Sequence, residues 1–218
     1  MSGSIGGVYL ISVGSLIAFG LVSLGMVCTP GPNMIYLISR SITQGRKAGI
    51  VSLGGVVLGF VIYLFATLLG LTTIFHIVPF LYTAIKWAGA AYLLWLAWNA
   101  IKPGSRSVFE VRKLTIESPR RLFFMGFMTN LLNPKIAVLY ISLLPQFQVP
   151  GQGSLLLQGT VLGMTQITIS LAVNLLIVFL ASRIASLIGG RPLWLKAQRW
   201  IMSSVLTGLA FRLAFERR

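Results

Sequence analysis

The sequence has very few acidic side chains. Among 218 residues it has three Asp and Glu residues against 18 Lys and Arg residues, with one cysteine and one histidine. The single cysteine, Cys28, excludes a disulfide framework and a two-cysteine redox relay. Metal sites take clustered carboxylates, thiolates or imidazoles, and an enzyme takes a nucleophile with a base. We therefore predict no metal site, no cofactor and no catalytic centre.

Long uncharged runs make up most of the chain. Hydrophobic residues account for 56% and charged residues for 10% of it, and its mean hydropathy is +0.88. These values predict an all-α integral membrane protein rather than a soluble domain. The net charge of +15 would suit nucleic acid, but the basic residues form short clusters between apolar runs. Anionic lipid headgroups are the expected partners of these clusters, and nucleic acid is not.

A search with a window of about 20 residues, the length that crosses a bilayer core of about 30 Å, predicts six transmembrane helices. The first predicted span continues past residue 27 to residue 39. A polar segment after the third span holds two of the three acidic residues, Glu110 and Glu117. The predicted spans cover residues 8–27, 49–71, 77–101, 122–144, 155–181 and 193–213.

Basic and neutral loops alternate along the chain. Lys and Arg lie between spans one and two, three and four, and five and six, whereas the loops around His76 and over 146–154 have none. The positive-inside rule then places the basic loops in the cytoplasm and the N-terminus outside. Six spans leave three arginines on the opposite side from the basic loops, and a five-span arrangement removes that conflict. These arginines are Arg212, Arg217 and Arg218.

Two proline motifs interrupt the first and fourth predicted spans, at Thr29-Pro30-Gly31-Pro32-Asn33 and at Asn133-Pro134-Lys135. A proline removes a helical donor and clashes with the preceding turn, so helices 1 and 4 should break there. In a membrane, freed backbone groups are tolerated where they are buried in protein or line a wet cavity. The two breaks therefore mark the candidate binding site.

A shift of 104 residues superposes the two breaks. Three spans per unit is an odd number, so the second unit would be inverted in the membrane, as in many secondary carriers. The predicted organisation is a first repeat over 1–101, a basic cytoplasmic loop over 102–121 and a second repeat over 122–218. Glycines four apart recur in both units and favour packing within the chain over a dimer face. The superposed pairs are Pro30/Pro134, Tyr36/Tyr140, Gln44/Gln148, Gly49/Gly153, Gly55/Gly159 and Gly59/Gly163.

These motifs resemble the LysE/RhtB family of bacterial amino-acid exporters, in its homoserine/threonine-exporter-like branch. The resemblance lies in the first proline motif, the strings Gly45-Arg46-Lys47-Ala48-Gly49 and Leu143-Leu144-Pro145-Gln146-Phe147, and the segment 127–135. It covers the chain from span one through span five. It implies a multi-pass secondary transporter of the bacterial inner membrane that exports amino acids or close derivatives.

The breaks carry groups that suit both charges of an amino acid. Half-helices that begin after Pro32 and Pro134 would offer amides to the carboxylate, and freed carbonyls would take the ammonium. Lys135 is the only formal charge between Leu122 and Ala181. A membrane lysine is a functional candidate, but snorkelling to headgroups, or bonding to carbonyls that hold the break, explains it equally well. The predicted substrate-binding residues are Thr29, Pro30, Gly31, Pro32, Asn33, Tyr36, Asn130, Asn133, Pro134, Lys135 and Tyr140.

Two groups of side chains leave their roles open. Tyr36 and Tyr140 could line the path or only pack. Polar residues of span five suit a cavity wall or interhelical hydrogen bonds, namely Gln166, Thr168 and Asn174.

No predicted span contains an acidic residue. Export of lysine or arginine should use a membrane carboxylate, so we expect a small neutral amino acid as substrate. The alternatives are an exporter of basic amino acids, a non-coupled channel and a membrane scaffold. The sequence leaves the proton carrier unassigned, and it leaves a monomer and a homodimer equally open.

Overall fold

The computed structural model describes residues 11–29, 31–77, 79–102, 115–188 and 192–215. Every regular element in these ranges is helical, as predicted. A π-helical turn, Leu139–Leu143, and a 3₁₀ turn, Leu144–Phe147, follow α6. The helices are α1 (Val13–Cys28), α2 (Pro32–Gln44), α3 (Arg46–Ile77), α4 (Pro79–Ile101), α5 (Pro119–Leu131), α6 (Pro134–Val138), α7 (Leu155–Ile188) and α8 (Pro192–Phe215).

Two of the described helices are long and apolar enough to cross a membrane alone, over Arg46–Gly70 of α3 and Leu155–Ala181 of α7. Two further spans result if each bent pair counts as one: α1 and α2 meet at 54°, and α5 and the segment Pro134–Phe147 meet at 50°. The other two predicted spans coincide with α4 and α8, which have 23 and 24 residues. The chain is therefore an all-helical membrane protein with two to four spans by this criterion. Six spans remain a prediction.

Helix boundaries follow local sequence. Ser118 caps α5, because its hydroxyl accepts a hydrogen bond from the main-chain N–H of Arg121 at 3.4 Å. Prolines occupy the first positions of α2, α5 and α6, where a missing N–H costs nothing. Gly45 joins α2 to α3 at a φ of 85°, a conformation that favours glycine. Most of the described chain therefore consists of helices joined by short connections.

Glycines bring α3 close to α5. A Cβ atom at Gly55 would run into the carbonyl oxygen of Phe123, and one at Gly126 would run into that of Ser52. In the second half, a Cβ at Gly163 would meet the side chain of Leu64 on α3. The glycines at these positions therefore serve packing within the chain, the use that the sequence favoured.

The core of the molecule surrounds the second break. Tyr140 is fully buried and stacks on Tyr63 with ring centroids 5.7 Å apart. Phe19 of α1 packs edge-on against Phe147 at 5.1 Å. Helix α4 packs mainly against α8. The segment after the second break consequently packs against α1, α3 and α7.

Candidate functional site

The second break is held by its own side-chain cap. The Oδ1 atom of Asn133 accepts a hydrogen bond from the main-chain N–H of Lys135 at 3.1 Å, and Pro134 takes the first helical position of α6. Asparagine is among the best residues for this role, because its side chain replaces a missing helical partner. The cap starts α6 and points Lys135 towards the first break.

Lys135 reaches into the protein and not to its surface. Its side chain is 6% exposed, and Nζ donates hydrogen bonds to the carbonyl oxygens of Thr29 at 2.7 Å and Met26 at 2.9 Å. The helical donor for the Met26 carbonyl would be residue 30, a proline without an N–H. Pro30 itself lies outside the described residues. Lys135 thus binds the end of α1 across the break.

The first break has no side-chain cap. Gly31 precedes α2 and makes no capping hydrogen bond, while the hydroxyl of Thr29 donates back to the carbonyl of Gly25 at 2.7 Å. A Cβ at Gly31 would lie 3.1 Å from Nζ and 3.3 Å from Cε of Lys135. The absence of a side chain at Gly31 therefore makes room for the lysine.

A cavity of about 20 Å³ lies between the two breaks. This volume holds about one water molecule. Its wall combines apolar side chains with one ammonium and three side-chain amides, and no carboxylate is among the described lining residues. The lining residues are Met26, Val27, Asn33, Met34, Phe60, Lys135, Ile136, Leu139, Gln166 and Asn174.

Several buried amide groups at the breaks have no hydrogen-bond partner. They are Oδ1 of Asn33, both polar atoms of the Asn130 side chain and Nδ2 of Asn133. Asn130 is fully buried, and its Cβ lies 2.7 Å from the position of a Cβ at Gly59. Buried groups without partners cost about 1–3 kcal/mol each and are rare unless a ligand or water satisfies them. The breaks therefore present ready donors and acceptors.

Helix α7 adds a polar wall that the sequence noted but did not place in the site. Gln166 accepts a hydrogen bond from the Tyr140 hydroxyl at 3.0 Å and donates to the Ser170 hydroxyl at 2.8 Å. Nδ2 of Asn174 donates to the Ser170 carbonyl at 2.8 Å. The spacing of four residues puts these side chains on one helix face, a signal that was readable beforehand. The sequence has no comparable pattern that identifies the apolar residues of the cavity wall.

The structure brings most of the predicted residues together. Asn33 and Lys135 line the cavity, and Thr29, Gly31 and Asn133 contact Lys135. Asn130 is buried beside α3. Pro32 and Pro134 are exposed and begin helices. Tyr140 does not line the cavity but contacts two residues that do, Gln166 and Phe60.

Tyr36 lies away from the cavity. Its hydroxyl donates to the carbonyl of Leu122 at 2.7 Å and accepts from the Ser52 hydroxyl at 3.1 Å. These bonds join α2 to the first turn of α5 and to α3. The two alternatives for Tyr36 were lining the path and packing, and its position in the structure is a packing position.

A second polar cluster joins the end of α2 to the segment before α5, and we call it the α2 latch: Arg40, Gln44, Thr115 and Glu117. Buried Arg40 donates to the Thr115 carbonyl at 2.9 Å. Gln44 exchanges two hydrogen bonds with the main chain of Glu117, at 2.8 and 2.9 Å. The carboxylate of Glu117 pairs with Arg121 at 3.2 Å. The sequence did not predict this cluster.

Comparison with known proteins finds relatives that match most of the chain. It is 34% identical over 183 residues to the homoserine/homoserine lactone efflux protein of Salmonella typhimurium, covering 83% of this chain and 86% of that protein. It is 30% identical over 143 residues to the uncharacterized membrane protein YrhP of Bacillus subtilis, covering 61% and 67%. It is 29% identical over 122 residues to the leucine efflux protein of Salmonella choleraesuis, covering 56% and 58%. No solved structure matches significantly.

A family model, that of the LysE type translocator, matches residues 24–217. This range begins near the end of α1 and includes both breaks, all ten residues that line the cavity, and the α2 latch. The match therefore extends over the whole candidate site and not over a single motif. The chain belongs to the LysE-type translocator family.

Proposed function

We propose that this protein is a secondary transporter that exports a small neutral amino acid or a close derivative across the bacterial inner membrane. The observation that carries the proposal is the buried Lys135 ammonium at the junction of the two breaks, beside unpartnered amide groups. A cation, free amides and carbonyl oxygens in one enclosed place can bind a zwitterion at both of its charges.

Charge at the site supports a neutral substrate. The described cavity wall holds one cation and no carboxylate, so a second positive charge on the substrate would have no anionic partner. Of the three acidic residues, Glu117 is paired with Arg121 away from the cavity. One relative is named for the efflux of homoserine and homoserine lactone and another for the efflux of leucine, and the amino acids homoserine and leucine are both neutral. We assign substrate binding to ten of the eleven residues predicted from the sequence, all except Tyr36, with Gln166 and Asn174 added.

We further propose six spans arranged as two inverted repeats over 1–101 and 122–218, joined by the cytoplasmic loop 102–121. The broken pairs and the long helices that follow them, α3 and α7, recur in the same order in both halves. Helix α5 of the second half packs on α3 of the first, and α1 of the first half packs on α7 of the second, as an internal two-fold relation requires. The basic loops would contact anionic headgroups, and assembly as a homodimer remains compatible with this arrangement.

Transport would proceed by alternating access around the breaks. The cavity of about 20 Å³ is smaller than any amino acid, so the helices must separate to admit substrate. In the predicted orientation the α2 latch lies on the cytoplasmic side. Its hydrogen bonds at Arg40 and Gln44 would close that entrance and break when the carrier opens inward.

Efflux from proteoliposomes tests the proposal. Vesicles loaded separately with labelled leucine, homoserine, lysine and glutamate should show saturable efflux of the neutral compounds only, with and without an imposed pH gradient. Saturable lysine efflux would overturn the neutral class. Flux that does not saturate would indicate a channel, and no flux of any compound would indicate a scaffold.

A variant pair ties the flux to the site. Lys135→Met should lower efflux by about tenfold to a hundredfold, since a hydrogen bond to a charged group contributes about 1.5–3 kcal/mol. Lys47→Met removes an exposed lysine at the start of α3 and should leave efflux unchanged. Equal efflux from both variants at matched expression would remove Lys135 from the substrate site.

A further inference from the structure

Lys135 holds a position that a bound amino acid would also need. Its ammonium is bonded to two main-chain carbonyl oxygens, of Met26 and Thr29, at 2.9 and 2.7 Å. No carboxylate lies among the described residues of the cavity wall. Main-chain oxygens thus hold a buried cation here without a negatively charged partner.

The first break leaves the carbonyls of Met26 and Thr29 without a helical donor. In an α-helix the carbonyl of residue i accepts from the N–H of residue i+4, and for Met26 that residue is a proline. Thr29 is the residue directly after the end of α1. The break therefore creates acceptors that a helix does not use, and a buried carbonyl needs a donor.

The lysine ammonium and the α-ammonium of an amino acid are the same chemical group. Each carries three N–H donors and no acceptor, and each is stabilised in a buried site by carbonyl oxygens. The carboxylate of an amino acid, in turn, would pair most strongly with a cation. A zwitterion at this place can therefore replace Lys135 on the carbonyls and bind it at the same time.

The surroundings supply further groups for this exchange once the helices have separated to admit substrate. Lys135 lies against the bare backbone of Gly31, where a Cβ would stand 3.1 Å from Nζ. The unpartnered Oδ1 of Asn33 lies in the wall of the same cavity and supplies a further acceptor. Movement of the lysine side chain would add its volume to a cavity that now holds about 20 Å³.

We propose that the carbonyls of Met26 and Thr29 form the subsite for the α-ammonium of the substrate, and that Lys135 occupies this subsite in the empty carrier. Arriving substrate displaces Nζ from the carbonyls, and Nζ then pairs with the substrate carboxylate. The inference rests on the proposed function of amino-acid export and deepens it, because it assigns the two ends of the substrate to named groups.

This arrangement affects the step in which the carrier returns without substrate. Net export requires the carrier to return without substrate, and Lys135 keeps the two buried carbonyls bonded during that step. Exchange of internal for external substrate does not include an empty return. Removal of the lysine should therefore slow net efflux more than exchange.

The test compares net efflux with exchange in proteoliposomes that contain the Lys135→Ala protein at saturating substrate. Saturating substrate offsets the weaker binding that loss of the carboxylate contact causes, so exchange should fall by no more than about threefold, whereas net efflux of the labelled amino acid should fall by about tenfold or more. Millimolar methylammonium should restore net efflux, because its N–H donors fit the vacant carbonyls. Tetramethylammonium has no N–H donor and should not restore it. Lys47→Ala, which removes an exposed lysine, is the matched control.

A second measurement uses the unaltered protein and remains decisive if the variant fails to fold. The 2-hydroxy acid analogue of the exported amino acid lacks the ammonium, so its efflux should be at least about tenfold slower. Equal efflux of the two compounds overturns the inference. Parallel loss of net efflux and exchange in Lys135→Ala, without rescue, also overturns it.

The two proposals fail in different ways. If the unaltered protein exports neutral amino acids and these tests are negative, the ammonium subsite is wrong and the export function stands. If the unaltered protein exports no amino acid, the proposed function is wrong and the subsite is wrong with it.

Discussion

The two helix breaks are related by a shift of 104 residues, yet they offer opposite chemistry. The shift places Gly31 on Lys135, so one break has a bare backbone where the other has an ammonium. The second break is capped by Asn133, whereas the first has no side-chain cap, and its carbonyls at Met26 and Thr29 accept hydrogen bonds from Lys135. The second half supplies the ammonium of Lys135. The first half supplies the carbonyl oxygens that accept from it and the space at Gly31. The site therefore exists only where the halves meet.

Two glycines, Gly55 and Gly163, differ in what a side chain would meet, and this gives the largest expected effect. Gly55→Ala would drive a Cβ into the carbonyl oxygen of Phe123, which belongs to rigid helix backbone, so we expect a loss of about 3 kcal/mol or failed assembly. Gly163→Ala would meet the end of the Leu64 side chain, which can move, and should cost about 1 kcal/mol.

Thermal unfolding of the purified proteins in one detergent measures this difference. The Gly55→Ala protein should unfold at a clearly lower temperature than the Gly163→Ala protein. Equal unfolding temperatures would mean that Gly55 and Gly163 tolerate a side chain equally well.

The tyrosines at equivalent positions give a second, smaller contrast. Tyr140→Phe removes the hydroxyl that donates to the buried Oε1 of Gln166, and an unpaired buried acceptor costs about 1–3 kcal/mol. Tyr36 is half-buried and bonds to a helix carbonyl at Leu122 and to the buried Ser52 hydroxyl, which can turn to a carbonyl of its own helix, so Tyr36→Phe should cost less than about 1 kcal/mol. Denaturation midpoints of the two variants decide the order, and a larger loss at Tyr36 would contradict it.

The caps give the smallest expected contrast. Asn133→Ala removes the side chain that starts α6 and should destabilise the protein by about 1 kcal/mol, while Asn133→Ser keeps a capping oxygen. Thr29→Val removes a hydroxyl bonded to a carbonyl of its own helix and should have a smaller effect. The same unfolding assay ranks the three variants. Identical behaviour of Asn133→Ala and Asn133→Ser would show that the cap contributes nothing.

Much of the site was predictable because its cause is local. A proline lacks an N–H wherever it stands, so the breaks at Pro32 and Pro134 could be read from spacing alone. The same holds for Lys135, whose charge stands out in an apolar segment. The helical character and the family likewise followed from the residues.

Other parts of the site could not be read in advance. Met26, Phe60 and Leu139 line the cavity. In a membrane protein the residues that face lipid are as apolar as those that face protein, so the sequence does not distinguish them. Tyr36 was grouped with the site by its symmetry with Tyr140, and the structure places it against α5 instead. Arg40 lies in a basic cluster of the sequence, yet the structure buries it at 4% exposure.

The sequence by itself determined that the chain is helical, that it belongs in a membrane, and that its helices break at two proline motifs. Each of these properties follows from covalent structure or from composition over a short window. Only the tertiary structure decided that the Lys135 ammonium lies on the carbonyls of Met26 and Thr29, more than 100 residues away along the chain. That contact depends on how α1, α3, α5 and α7 pack, and packing is set by the fit of many side chains together.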